Sequence, residues 1–171
     1  MIVALLVVGG FLFLAVRAGA AALKVGDTAP DISAPLSDGT TFRLQEWLVR
    51  APIVLYFYPK DNTPGCTKEA CSLRDDFAAF RDLKASVVGV SYDSIESHLK
   101  FIQEHNLPFP LISDQNRTIA KAFGVAGVFF ASRATFIIGR DGKILYANPS
   151  VNPSTHSQEV REALARVASG H

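Results

Sequence analysis

Ile53-Val-Leu-Tyr-Phe-Tyr58-Pro-Lys-Asp-Asn-Thr63-Pro-Gly-Cys66-Thr-Lys-Glu-Ala-Cys71 holds both cysteines of the chain and decides how its neighbours must fold. The apolar run Ile53 to Tyr58 reads as a buried strand. Pro59 stops it and stiffens the turn that follows. Cys71-Ser-Leu-Arg-Asp-Asp-Phe-Ala-Ala-Phe80 has helical spacing, so a helix is expected from about Pro64 to Leu83. Cys66 then falls in the first turn of that helix. Unpaired N–H groups and the positive end of the helix dipole gather there and favour a thiolate over a thiol.

Upstream of the strand, Asp31 to Leu36, the turn Ser37-Asp-Gly39 and Thr40 to Leu44 read as an N-terminal β-hairpin with Asp-Gly at the bend. Gln45 to Val49 reads as one helical turn. Downstream, Ser86 to Ser91 is the next strand, and Ser94 stands as N-cap of a helix reaching His105. Leu111 to Ser113 is a short strand after the Pro108/Pro110 turn. Asp114 is expected to cap a helix running through Phe123, with Gly124 as its left-handed stop. Val125 to Ser132 is an apolar connector. Ala134 to Gly139 and Lys143 to Ala147 form a hairpin about Asp141-Gly142, and a last helix covers Ser157 to Ala168. Alternating strands and helices indicate a parallel-dominated α/β sheet, with the closing hairpin adding antiparallel edges. The order β–α–β–α followed by β–β–α is that of a thioredoxin-like fold, a central mixed sheet flanked by helices. In such sheets functional groups collect beyond the carboxyl ends of the strands, where Cys66 lies.

The chain has 171 residues, enough for one domain with a substantial core. A formal net charge of +1 with no basic run excludes a nucleic-acid stripe. Two cysteines make no disulfide framework, and a zinc site is not expected because His98, His105, His156 and His171 lie far from them in sequence. A reactive pair or two buried thiols remain. Residues 1–16 carry no charged side chain, Arg17 interrupts, and Ala18 to Leu23 continues with small residues. Residues 1–23 are therefore expected to be a membrane anchor or a cleaved secretory signal, and the domain to occupy residues 24–171. No basic residue precedes the apolar run, and Arg17 favours a cytoplasm-facing anchor over an exported, periplasmic domain. The localisation stays open between these.

Thr63, three residues before Cys66, can turn its hydroxyl toward the sulfur, and Gly65 lets backbone approach without a Cβ. N–H groups at the helix start can donate to an oxygen bound in front of the thiolate while the sulfur attacks the neighbouring atom. A peroxide fits that description. The pattern Pro59, Thr63, Cys66 resembles the Pro-x-x-x-Thr-x-x-Cys site of the peroxiredoxins, and the full stretch Tyr58 to Cys71 is closest to their PrxQ, or bacterioferritin-comigratory-protein, branch. Val25 to Asp31, Gly89 to Ser94, Leu107 to Asp114, Thr135 to Ile138 and Asp141 to Ile144 extend the resemblance over nearly everything after residue 23.

The resemblance implies a thiol-dependent peroxidase for hydrogen peroxide and organic hydroperoxides, using no metal, haem or other cofactor. Cys66 would be the peroxidatic cysteine, Thr63 would bond the peroxide and Pro59 would shield the site. Arg133 matches the family's arginine beside the sulfur, although Ser132 stands where many relatives carry Pro; a solvated strand-end charge is the plain alternative. Glu69 reads as an acidic residue favouring the first helical turn, and His98 as a satisfied or surface helix residue. Cys71, five residues after Cys66, is implied to resolve the oxidised sulfur in an intramolecular disulfide. On one regular helix their Cα atoms lie roughly 8–9 Å apart, beyond the ~7 Å that a disulfide tolerates, so the helix must unwind first. The alternative is a core thiol at Cys71 and an external resolving thiol. Regeneration by thioredoxin or another dithiol protein, and a monomeric state, are also implied. Two other readings are a membrane-tethered disulfide exchanger, which usually has Cys-x-x-Cys, and a redox-switched binding or chaperone module.

Overall fold

A computed structural model describes residues 21–169. In chain order its elements are β1 (Ser33–Pro35), β2 (Thr41–Arg43), α1 (Leu44–Leu48), β3 (Ile53–Phe57), α2 (Pro64–Asp75), α3 (Phe77–Asp82), β4 (Ser86–Ser91), α4 (Ile95–His105), β5 (Leu111–Ser113), α5 (Thr118–Ala122), β6 (Ala134–Ile138), β7 (Ile144–Asn148) and α6 (His156–Ala168). β1 and β2 form a separate antiparallel hairpin, and the other strands form one mixed sheet in the order β5-β4-β3-β6-β7. The α/β class, the mixed central sheet and the N-terminal hairpin are as the sequence implied.

β3 lies at the centre, and its uniform apolarity follows from burial on both faces. Ile53, Leu55 and Phe57 point to one core, with Phe42, Leu48, Phe123 and Phe136. Val54, Tyr56 and Tyr58 point to the other, with Cys66, Leu73, Phe80, Phe101 and Leu164. Period-two alternation thus places the reactive cysteine in the layer covered by α2, α3, α4 and α6.

Three expectations are corrected. The sheet is not parallel-dominated: β3 pairs parallel with β4 but antiparallel with β6, so half of its pairings are antiparallel. The helix expected from Pro64 to Leu83 breaks at Asp76, where φ is −91° and ψ 6°. The cause is tertiary, because the Asp76 carboxylate accepts from Ser157 Oγ and from Arg161 Nη1 at 3.3 Å, both on α6. The helix expected from Asp114 begins only at Thr118, after left-handed Arg117. Asp114 still caps it, accepting from the N–H groups of Ile119 at 3.0 Å and Ala120 at 2.8 Å. Ala22 and Leu23 pack on the core, and the Leu23 N–H donates to the Phe123 carbonyl at 3.2 Å. Most of the expected anchor or signal lies outside the described residues, and no described helix is long and apolar enough to cross a membrane.

Candidate active site

Thr63 is the N-cap of α2 in extended conformation, and Pro64 occupies the first helical position, where its missing N–H costs nothing. Cys66 is therefore the third helical residue. The N–H groups of Gly65 and Cys66 have no carbonyl to bond within the helix and face the end where anions are favoured. Cys66 is 2% exposed, so its sulfur is desolvated as well as near a positive dipole.

The Thr63 hydroxyl donates to the Lys60 carbonyl at 3.1 Å, which closes the turn. Pro59 is half-buried at its start, and Asn62 adopts the left-handed φ of 56° that lets the chain double back. The turn is anchored from beneath. Asp61 accepts from Tyr58 Oη at 2.7 Å and Ser97 Oγ at 2.7 Å, and meets His98 Nδ1 at 2.9 Å. The other His98 nitrogen donates to the Ile112 carbonyl at 3.1 Å, so His98 is the satisfied residue expected of it. Burial pushes the Asp61 carboxyl up, but the hydrogen bonds and charge of His98, Tyr58 and Ser97 outweigh it and hold the group below its ordinary range.

Arg133, just before β6, reaches across to α2 and donates from Nη2 to Cys66 Sγ at 3.3 Å. Its Nη1 donates to Glu69 Oε2. Burial would lower the guanidinium pKa, yet Glu69 and Cys66 together hold it above its ordinary value. Glu69 is not the solvated first-turn acid that the sequence suggested. It is fully buried one turn beyond Cys66 on the same helix face. Its Oε1 lies 3.0 Å from His156 Nδ1, and His156 Nε2 lies 2.7 Å from Thr135 Oγ1. Of the histidines judged remote from the cysteines, His156 has been brought to the back of the site. The spacing Cys66–Glu69 could have flagged Glu69, whereas nothing local to His156 or Thr135 marks them.

Cys66 and Cys71 are both free thiols, and both lie on the unbroken helix α2, Cys71 half-buried. Arg133 thus reaches Cys66 in the first turn of α2, with Thr63 at that helix's N-cap and Pro59 at the start of the turn before it, while Cys71 sits more than a turn along the helix. The arrangement can stabilise a thiolate and place donors around an oxygen in front of it.

Residues 25–147 match the AhpC/TSA family. The chain is 39% identical to peroxiredoxin Bcp of Bacillus subtilis over 150 residues, 83% of this chain and 95% of that protein. It is 37% identical to the chloroplastic peroxiredoxin Q of Sedum lineare over 81% of this chain and 76% of that one. Among solved structures, peroxidoxin BcpB of Mycobacterium tuberculosis superposes with a TM-score of 0.81 at 38% identity, covering 85% of this chain and 98% of that chain. PrxQ of Xylella fastidiosa gives 0.82 at 34% identity over 87% and 99%.

Proposed function

The chain belongs to the AhpC/TSA family and is a peroxiredoxin, a thiol-dependent peroxidase, and from that premise we propose that Cys66 is the residue that attacks the peroxide. The observation that carries the assignment is the 3.3 Å contact from Arg133 Nη2 to the buried Cys66 sulfur at the start of α2. The thiolate attacks one peroxide oxygen, an S–O bond forms and the O–O bond breaks. The leaving oxygen departs as water or alcohol after taking a proton, and Cys66 is left as sulfenic acid. Arg133 and the free N–H groups of α2 balance the negative charge that moves onto the oxygens. Pro59 screens the sulfur from bulk water. Thr63, once its hydroxyl turns from the Lys60 carbonyl, supplies a further hydrogen bond to the peroxide.

Cys71 then condenses with the sulfenic acid, releasing water and forming the Cys66–Cys71 disulfide. α2 must unwind for this, and a thioredoxin-type dithiol reduces the disulfide to restore both thiols. Organic hydroperoxides are substrates alongside hydrogen peroxide. In support, one similar structure, the bacterioferritin comigratory protein of Xanthomonas campestris at 32% identity, is described by its alkyl peroxide reduction activity. The apolar residues ahead of Ala22 serve as the anchor or signal, which intact mass and fractionation of the native protein would distinguish. The similarity to peroxiredoxins favours this reading over the exchanger and chaperone ones. With dithiothreitol as reductant the full chain is expected to consume peroxide and Cys66→Ser to consume none; equal consumption by the variant overturns the assignment.

A further inference from the structure

Arg133 stands between two acceptors, and how it divides its donors between them determines what the sulfur feels. A guanidinium and a carboxylate left to themselves pair side by side through two parallel N–H···O bonds. Here they do not. Only Oε2 of Glu69 is on Arg133, through Nη1, while Nη2 is kept for Cys66 Sγ at 3.3 Å. The other carboxylate oxygen, Oε1, faces His156 Nδ1 at 3.0 Å, too obliquely for a hydrogen bond, and neither atom has a hydrogen-bond partner. The imidazole is fixed from behind by Thr135 Oγ1 at 2.7 Å from Nε2. Glu69, Thr135 and His156 are all at most 1% exposed, so water cannot take over any of these contacts. The four groups come from three elements: Glu69 from α2, Arg133 and Thr135 from the β6 strand and the residue before it, and His156 from the first turn of α6.

We propose that His156 is a positioning residue for the peroxidase reaction: by occupying Glu69 Oε1 it keeps that carboxylate one-pronged on Arg133, which leaves the second guanidinium nitrogen for the sulfur. Remove the imidazole, and the fully buried Oε1 is left beside the Arg133 fork, whose Nη1 already holds Oε2. Glu69 then turns to grip both Nη atoms, and the sulfur loses its cation. Thr135 holds the ring in the orientation that points Nδ1 at Glu69. The inference rests on Cys66 being the attacking residue. The charged and titratable groups around that sulfur are Tyr56 on β3, Glu69 on α2, Arg133 before β6 and His156 on α6; Arg133 touches the sulfur, Glu69 touches Arg133, and His156 touches Glu69.

The test uses full-length His156→Leu, His156→Gln, Thr135→Val and Thr135→Ser. Three quantities are followed: the single-turnover rate of Cys66 oxidation by hydrogen peroxide, the pH profile of Cys66 alkylation by iodoacetamide, and the rate at which dithiothreitol reduces the oxidised protein. In His156→Leu the oxidation rate at pH 7 is expected to fall roughly tenfold and the alkylation midpoint to move up by about one pH unit. The reduction rate should be unchanged. Gln, whose amide can both donate to Glu69 and accept from Thr135, should restore most of the loss. Should His156→Leu not fold, the threonine pair carries the test, with Val slowing oxidation several-fold and Ser rescuing it. Unchanged oxidation and alkylation in His156→Leu or Thr135→Val overturns the proposal, as does an equal loss in Leu and Gln or in Val and Ser. Cys66→Ser, run alongside, separates the two failures: if it still consumes peroxide, the assignment of Cys66 is what has failed.

Discussion

Asp61 shows how one side chain fixes the turn that leads into α2 and Cys66. It is 5% exposed and takes hydrogen bonds from Tyr58 and Ser97 as well as facing His98. Its carboxyl is depressed in the folded protein, against an unfolded value near 3.9. A depressed carboxylate stabilises the fold at pH above that unfolded value, and the contribution is lost as pH falls through the folded one. Asp61→Asn is therefore expected to cost about 1–3 kcal/mol at neutral pH, because the buried Tyr58, Ser97 and His98 groups lose the carboxylate acceptor they share. In urea denaturation series the wild type should lose its advantage over the variant as pH falls below about 4. Parallel pH profiles for the two proteins would rule this out.

At the scale of the element, α2 carries opposite demands. On the proposed mechanism its first turn must be intact to present Cys66 to Arg133, and the same turns must open for Cys71 to arrive. α6 and the residues leading into it clamp the helix at both ends: Ser154 Oγ, ahead of α6, accepts from Lys68 Nζ at 2.9 Å, His156 faces Glu69, and Ser157 and Arg161 hold Asp76 at the C-cap. Cys71 lies between the clamps. Opening the N-terminal half also frees Glu69 from full burial, which offsets part of the cost of the lost helix bonds. Amide hydrogen exchange from Cys66 to Leu73 should accelerate at least tenfold in the peroxide-oxidised protein relative to the reduced one. Protection beyond Asp76 should change little. Cys71→Ser should show no such acceleration and should accumulate a dimedone-reactive sulfenic acid. Equal protection in both redox states would exclude the unwinding.

Across the whole molecule, the site depends on sheet packing behind it. Gly89 on β4 stands between Tyr56 on β3 and Leu111 on β5 in register. A methyl group there would lie 2.6 Å from Leu111 Cδ2 and 2.8 Å from Tyr56 Cζ. The Tyr56 ring cannot yield freely, since it stacks on Tyr58 at 5.4 Å and packs near His156 at 6.0 Å between ring centres. Gly89→Ala should destabilise the fold by about 1–3 kcal/mol through overpacking, read from thermal or urea unfolding. An unshifted transition would show that the layer is looser than these distances require.

The chain's local sequence determined the elements and the reactive sulfur. Six apolar residues, a proline stop and a Pro-Gly helix start suffice to put Cys66 at the mouth of α2, because strand burial, φ restriction and helix-end polarity act within a few residues. The hairpins at Gly39 and Gly142 and the cap at Ser94 were legible for the same reason: each is a turn or cap set by its own residues, and the Ser94 hydroxyl does accept from the Ser97 N–H. Arg133 was legible only through likeness to a family, since 67 residues separate it from Cys66. The tertiary structure alone decided the rest. The break at Asp76 is imposed by α6, the antiparallel β3–β6 pairing by which strand inserts beside the central one, and the buried state of Glu69 by a histidine 87 positions further along the chain. A buried charge is tolerated only where distant partners meet it, and which partners arrive is settled by packing, not by the residues on either side.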